Sequence, residues 1–208
     1  MLKLAKLYNG ILFINLIMIT LIIIFYPVSF SLLMDPVSWL GKIGTGITSA
    51  YGKTFSLFAT TMLINTILWQ KIINWLVKIK AWYNMVIRMA SYMVLVGFIL
   101  MIFPCDRFDA VHSTGGGLVA VGLWLLSTIL LFHSKQALPP YLHLGLQFFL
   151  QSSVLFCGYH FTINSALKGF GQRPLIIAFI IIPNICFYAS LRSQNKYNAT
   201  HDNTVNND

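Results

Sequence analysis

The chain has 208 residues, of which 57% are hydrophobic and only 9% are charged, and it contains no glutamate. A soluble domain usually carries about 25% charged residues, so a chain this poor in charge is expected to have lipid as its solvent. The formal net charge is +9, but the basic residues stand at the ends of apolar runs and form no dense patch, which excludes a nucleic-acid partner.

Six apolar stretches approach the length of about 20 residues that a membrane helix needs. They extend over residues 10–33, 54–69, 85–103, 115–132, 141–161 and 174–191. The first exceeds the apolar core of a signal peptide, about 7–15 residues, and is expected to remain as a helix. The pattern predicts an all-α, polytopic membrane protein with six transmembrane helices in a bundle over residues 1–192. The polar tail, residues 193–208, is predicted to be disordered.

The distribution of Lys and Arg predicts the orientation of the chain. With both termini in the cytoplasm, nine of the 14 basic residues fall on the inner side and five on the outer side, as the positive-inside rule favours. The five outer residues are Lys42, Lys53, Arg107, Lys168 and Arg173. This orientation leaves residues 103–117 on the extracytoplasmic side.

The segment FPCDRFDAVHSTGGG, residues 103–117, concentrates the side chains that carry chemistry. Ser113 or Thr114 is expected to cap the fourth helix, with three glycines in its first turn. Glycine allows a ligand to approach closely, and the free N–H groups of a helix start bind anions. His160, at the outer end of the fifth span, can join this loop or meet water. The candidate ligand-binding residues are Arg107, Asp109, Ser113, Gly115, Gly116 and His160.

A catalytic alternative combines this segment with the first outer loop, MDPVSWLGKIGTG. If the loops converge, Ser38, Asp106 and His112 form a set sufficient for nucleophilic catalysis, with Asp106 or Asp109 orienting the imidazole. Structural closure of the outer loops by hydrogen bonds is the other interpretation. No cofactor motif is present, and a metal site built from Asp106, Asp109, His112 and His160 has no diagnostic spacing.

Two helices carry polar side chains at helical spacing. Residues 54, 58, 61 and 65 give the second span one partly polar face, and His143, Gln147 and Gln151 form a stripe on the fifth. We predict that both faces point to the bundle interior, where amide and hydroxyl groups bond between helices. A polar transport path is the alternative interpretation of the stripe.

The chain resembles a family known as domain of unknown function 998 (DUF998). The resemblance rests on DPVSWLG at 35–41, YGKTFSLFATTMLINT at the second span, and FPCDRFDAVHSTGGG before a span with GLW. It covers about residues 8–192 and implies a prokaryotic six-helix protein of the cytoplasmic (inner) membrane. By that resemblance Ser38, Gly41, Asp106 and His112 are the family positions. A fainter similarity links the layout to the Frag/DRAM/Sfk group, which is associated with lipid and membrane homeostasis.

Two functions follow from these patterns. The first is binding or modification of a membrane lipid at the extracytoplasmic leaflet through the segment 103–117. The second is a non-enzymatic role as a small transporter or as a structural or accessory membrane subunit. The sequence does not decide between modification of a lipid and binding of a lipid without a reaction, and it identifies no protein partner.

Overall fold

The computed structural model describes residues 2–76, 84–163 and 165–205, and this part of the chain is helical. Six α-helices follow one another, and two short 3-10 helices lie between them. The α-helices are α1 (Leu2–Ile24), α2 (Ala50–Leu76), α3 (Asn84–Leu100), α4 (Asp109–His133), α5 (Pro140–Thr162) and α6 (Lys168–Val205), and the 3-10 helices are Val37–Gly41 and Ser134–Gln136. The all-α fold and the number of helices agree with the prediction.

Contacts show neighbouring helices running in opposite directions: Gly97 near the end of α3 packs on Gly115 near the start of α4, and His160 near the end of α5 lies against Gly171 near the start of α6. The connections between helices therefore gather at two ends of the bundle. One end, here called the loop end, holds residues 25–49, residues 101–108 and the connection between α5 and α6. The opposite end holds the 3-10 helix Ser134–Gln136 and the first residues of α1. The segment 103–117 and the first loop therefore lie at the same end of the molecule.

Three of these helices are long and apolar enough to cross a membrane, judged by length and composition. They are Leu2–Ile24, Asp109–Ser134 and Lys168–Ser193, and a shorter apolar helix is Met85–Leu100. Large apolar side chains such as Leu16, Phe148 and Ile177 are exposed on the outside of the bundle. Water would not favour such a surface, whereas lipid tails do, so the chain is a membrane protein.

Glycine allows α3 and α4 to pack closely. The carbonyl oxygen of Gly97 would lie only 2.8 Å from a Cβ atom on Gly115, and the Val94 side chain only 2.6 Å from one on Gly122. Backbones approach this closely only where a side chain is missing, as at small-residue contacts between membrane helices. Gly115 is thus a packing residue of the bundle and does not line an open surface.

The polar face on α2 is buried, as predicted, and His143, Gln147 and Gln151 of the α5 stripe are half-buried. Thr54, Thr61 and Asn65 are fully buried, and the amides of Asn15 and Asn65 exchange two hydrogen bonds of 2.9 Å between α1 and α2. On α5, Gln151 accepts a hydrogen bond of 2.9 Å from the Trp124 indole of α4. These bonds pair amide and indole groups of neighbouring helices.

Two local predictions are wrong. The first span, expected over residues 10–33, ends as helix α1 at Ile24, before Pro27. The fourth helix starts at Asp109 after Phe108, without a side-chain cap, and not at Ser113 or Thr114. The first turn of α4 accordingly contains Asp109 and His112, while the three glycines come a turn or two later.

The predicted boundary between the bundle and its tail, after Arg192, is not marked by a break in the backbone. The structure continues α6 beyond this point to Val205, and residues 206–208 lie outside the described part of the chain. The disorder of the tail stays a prediction.

Candidate functional site

Hydrogen bonds to backbone atoms tie the connections of the loop end together. The N–H of Cys105 donates to the carbonyl of Gly41 over 3.1 Å. From the start of α6, Arg173 donates to the carbonyls of Leu32 and Asp35, each over 2.5 Å. The side-chain oxygen of Gln172 accepts from the N–H of Val37. Three stretches of chain that are distant in sequence thus form one layer over the helix ends.

Asp106 binds the first loop through both of its carboxylate oxygens. One accepts the N–H of Ile43 over 3.0 Å, and the other accepts the N–H of Gly44 over 2.8 Å. Burial alone would raise the pKa of this carboxyl, but the two N–H groups stabilise the anion and the net result is a pKa below its ordinary value of 3.8. The charge of Asp106 is therefore committed to fastening one loop to another.

His112 is the most deeply buried titratable side chain at the loop end, with 1% of its surface exposed. Its Nδ1 atom lies 2.7 Å from the carbonyl oxygen of Phe103, and its ring stacks on Phe58 with centroids 5.8 Å apart. A Cβ atom on Gly41 would come within 2.9 Å of the imidazole. The close position of the His112 ring therefore explains why residue 41 is a glycine. The backbone of Gly41 does not explain it, because its φ angle is not positive.

The second ring nitrogen of His112, Nε2, is buried and has no hydrogen-bond partner among the described residues. A carbonyl oxygen only accepts hydrogen bonds, so Nδ1 must carry the proton that binds Phe103. Nε2 of an uncharged ring is then an acceptor without a donor. A buried polar atom left unpaired costs about 1–3 kcal/mol, so a water or a ligand group that donates to Nε2 would stabilise the folded protein.

A cavity of about 120 Å³ lies beside His112. A single water needs about 10–15 Å³ on this measure, so the cavity accommodates a group larger than one water. It is lined by Pro36, Ser38, Trp39, Lys42, Cys105, Asp106, Asp109, His112, Ser113, Phe161 and Lys168. The first loop, the segment before α4 and the ends of α5 and α6 all contribute to its wall.

Several predicted site residues meet at this cavity. Ser38, Asp106 and His112 all line it, as do Asp109 and Ser113. The Ser113 hydroxyl donates to the Asp109 carboxylate over 3.2 Å. The convergence of the two loops, on which the catalytic and the binding interpretations both depend, is present, while the roles of these residues stay predictions.

Four other predicted site residues are not among those that line the cavity. Arg107 is exposed and donates to the carbonyl of Gly44 over 3.3 Å. Gly115 packs against α3, and Gly116 has no atom within 4 Å of the place where its Cβ would be. His160 is buried between Phe156 and Gly171. The predicted glycine-led helix start is wrong, because the helix begins at Asp109, well before Gly115, while anion binding by these residues stays a prediction.

The arrangement of the catalytic candidates differs from a Ser-His-Asp relay. In that relay the serine donates to the histidine and a carboxylate holds the other ring nitrogen. Here a backbone carbonyl holds Nδ1, Asp106 binds two backbone N–H groups, and Nε2 bonds neither to Ser38 nor to any other described residue. The geometry therefore favours binding of a hydrogen-bond donor over activation of Ser38.

Cys105 also lines the cavity without offering a nucleophile. Burial, together with the neighbouring Asp106 carboxylate, raises the pKa of its thiol to about 11. The reactive form of cysteine is the thiolate, which is scarce at neutral pH when the pKa is this high. Within the described ranges, no cluster of three or more His, Cys, Asp or Glu side chains is arranged to hold a metal ion.

Lys168, Phe161, Trp39 and Cys105 contribute to the cavity although the sequence patterns did not single them out. Lys168 and Phe161 flank the connection between α5 and α6, which the alternation of spans assigns to the same side as the segment 103–117. This alternation is the signal from which Lys168 and Phe161 could have been placed near the segment 103–117. Which side chains of the connection turn toward the first loop depends on tertiary contacts that no local pattern reports.

Comparison of the chain with known proteins identifies no relative. No protein-family model, no curated protein and no solved structure matches the chain.

Proposed function

We propose that this protein spans the cytoplasmic membrane of a prokaryote six times, with both termini in the cytoplasm, and binds the headgroup of a membrane lipid in the loop-end cavity. In this orientation the cavity lies at the extracytoplasmic leaflet. We include in this proposal that the chain is a member of the DUF998 family, which its sequence resembles.

Exposed apolar side chains support six spans. Each of the six helices carries some of them on its outer surface, including helices beyond the three that are long and apolar enough to cross a membrane. Examples, in chain order of the helices, are Leu16, Leu63, Met89, Val121, Phe148 and Ile177. A helix lying in water beside the membrane would gain nothing from such a surface.

The observation that carries the binding proposal is that His112, whose Nε2 is buried and unpaired, is one of the residues lining a cavity with charged and hydroxyl groups. The position of the cavity supports a lipid as the ligand. It lies among helix ends, and its lining includes the aromatic residues Trp39 and Phe161, which are 43% and 40% exposed. Aromatic side chains of this kind settle at the headgroup level of a bilayer.

The transporter interpretation has less support. The stripe on α5 that motivated it bonds within the bundle, because Gln151 binds both Trp124 and Gln147. The polar cavity described above lies at the loop end and not in the middle of the helices.

The lipid that remains bound to the purified full-length protein tests the proposal. We expect native mass spectrometry to detect about one phospholipid per wild-type chain after extraction in mild detergent. His112→Ala and Lys42→Ala should each reduce this retention at least several-fold. His143→Ala is the matched control, since His143 also has a buried, unpaired Nε2 but lies at the opposite end of the bundle, and it should retain the lipid.

Two results would contradict binding in this cavity. One is a wild-type chain that retains no lipid above the level of the detergent belt. The other is equal retention by wild type, His112→Ala and Lys42→Ala when melting curves show that all three are folded.

A further inference from the structure

The lining of the cavity also indicates which chemical group its ligand carries, because the nitrogen atoms of His112 have defined roles as hydrogen-bond donor and acceptor. Nδ1 of His112 is committed as a donor to Phe103. Nε2, the nitrogen without a partner, is buried and accepts when the ring is uncharged. A ligand group that satisfies this atom must therefore carry an N–H or O–H, and a bare phosphate oxygen does not.

The charges around the cavity favour a cation close to a phosphate. Asp106 and Asp109 line the cavity together with Lys42 and Lys168, so the formal side-chain charges balance. An anionic group alone would meet two carboxylates, and a cationic group alone would meet two ammonium groups. A zwitterion presents both signs and is the class of ligand that such a lining complements.

The aromatic rings of the cavity argue against a quaternary ammonium group. Proteins recognise choline through aromatic faces that surround the cation. Here the Nζ atom of Lys42 lies 4.2 Å from the centre of the Trp39 ring, and that of Lys168 lies 5.9 Å from the centre of Phe161. Both of these rings, which line the cavity, already have a cation of this protein next to them.

We infer that the cavity selects the phosphoethanolamine headgroup, with the primary ammonium donating to Nε2 of His112 and the phosphate lying toward Lys42 and Lys168. This inference rests on the proposed function and narrows it to one class of lipid. Choline has no N–H and offers Nε2 nothing. Glycerol has hydroxyl donors, but a phosphoglycerol headgroup carries a net negative charge into a lining with two carboxylates.

Short-chain lipids allow the selectivity to be measured on the full-length protein in detergent. Isothermal titration with dioctanoyl lipids should show affinity falling along the series from phosphatidylethanolamine through its mono- and dimethyl derivatives to phosphatidylcholine. Each step removes one N–H donor. We expect phosphatidylethanolamine to bind at least about tenfold more tightly than phosphatidylcholine, the usual order for a hydrogen bond to a charged group, and more tightly than phosphatidylglycerol.

His112→Asn is the decisive variant. The amide nitrogen of asparagine takes the place of Nδ1 and can still donate to Phe103, while the acceptor at the position of Nε2 is lost. The ratio of the two affinities, ethanolamine over choline, should fall to about one in this variant. His143→Asn should keep the wild-type ratio, and melting curves of both variants report whether they are folded.

The outcomes separate this inference from the proposal beneath it. If none of the lipids binds the wild-type chain, lipid binding fails and the selectivity fails with it. If the lipids bind but choline or glycerol headgroups match ethanolamine, or if His112→Asn keeps the preference, lipid binding stands and the inference is overturned. Free phosphoethanolamine serves as a further probe. Binding of this compound as tight as that of the lipid would make the ligand a soluble amine and would overturn the lipid as its source.

Discussion

His112 is held from several directions by groups that are not acidic. The Phe103 carbonyl binds one nitrogen, Phe58 stacks on the ring, and Gly41 leaves room for its edge. This arrangement fixes the tautomer and the orientation without a carboxylate partner. The expectation that Asp106 or Asp109 orients the imidazole is therefore wrong, because neither carboxylate occupies the hydrogen-bonding position of Nδ1.

Asp106 makes the stability of the loop end dependent on pH. The pKa of Asp106 in the folded protein lies below the ordinary value of 3.8. Its ionised form therefore stabilises the fold, and this contribution is fully present at pH values above the pKa that Asp106 has in the unfolded chain. This contribution disappears as the pH falls through the folded pKa. We expect Asp106→Asn to melt at a lower temperature than wild type at pH 7, with the difference starting to shrink below about pH 4 and vanishing only below the folded pKa of Asp106.

Melting curves of both proteins between pH 3 and pH 7 check this dependence. Asp35→Asn is a suitable control, because the Asp35 side chain binds Ser31 within its own loop. A melting difference for Asp106→Asn that stays constant across the range would show that the charge of Asp106 plays no part.

At the scale of the helices, the contact between α3 and α4 determines where the segment 103–117 enters the bundle. Gly97, Gly115 and Gly122 keep the two helices close, and the short connection between them carries Phe103 and Asp106. Any separation of these helices would displace the carbonyl that holds His112.

Two adjacent glycines of α4 provide a matched pair for testing this packing. A Cβ on Gly115 would lie 2.8 Å from the Gly97 carbonyl oxygen and 2.9 Å from the Met101 nitrogen, whereas a Cβ on Gly116 would meet nothing within 4 Å. We expect Gly115→Ala to reduce the free energy of unfolding by about 1–3 kcal/mol. Gly116→Ala should leave it unchanged or raise it by up to about 1 kcal/mol.

Because both changes alter helix propensity equally, the difference between the two variants isolates the packing effect. Unfolding in detergent, followed by circular dichroism, measures it. Equal stability of the two variants would mean that α3 and α4 are not closely packed at this level.

Much of this architecture could be predicted from periodicity, and much of the site could not. Apolar stretches predict the helices, and the spacing of Thr54, Thr61 and Asn65 predicts a buried face, because both signals are local. The start of α4 could not be predicted because Phe108, the residue before the helix, offers no capping side chain. The partners of Asp106 were missed since they are backbone N–H groups about 60 positions earlier, and backbone groups have no sequence signature.

At the scale of the whole molecule, orientation and number of spans have separate tests. Thr48 is exposed at the loop end, Gln136 is exposed at the opposite end, and Ala166 is exposed between α5 and α6. If the chain crosses the membrane six times with cytoplasmic termini, Thr48→Cys and Ala166→Cys should react with an impermeant maleimide in intact cells. Gln136→Cys should react only after lysis.

The chain without added cysteines provides the background, since Cys105 and Cys186 are buried and Cys157 is half-buried. The opposite labelling pattern at all three positions would mean that the termini lie outside the cytoplasm. Labelling of Gln136→Cys and Ala166→Cys on the same side would mean that α5 does not cross the membrane.

The hydrogen bonds from Arg173 to Leu32 and Asp35 have a consequence for biosynthesis. The bonded residues are 141 and 138 positions apart, and ribosomes add about 5–20 residues per second. The first loop therefore waits on the order of ten seconds for the helix that fastens it. During that interval the wall of the cavity is incomplete, so a chain that stalls or ends before α6 could not hold the lipid proposed above. Occupancy of the cavity would then report that translation and insertion have reached the final span.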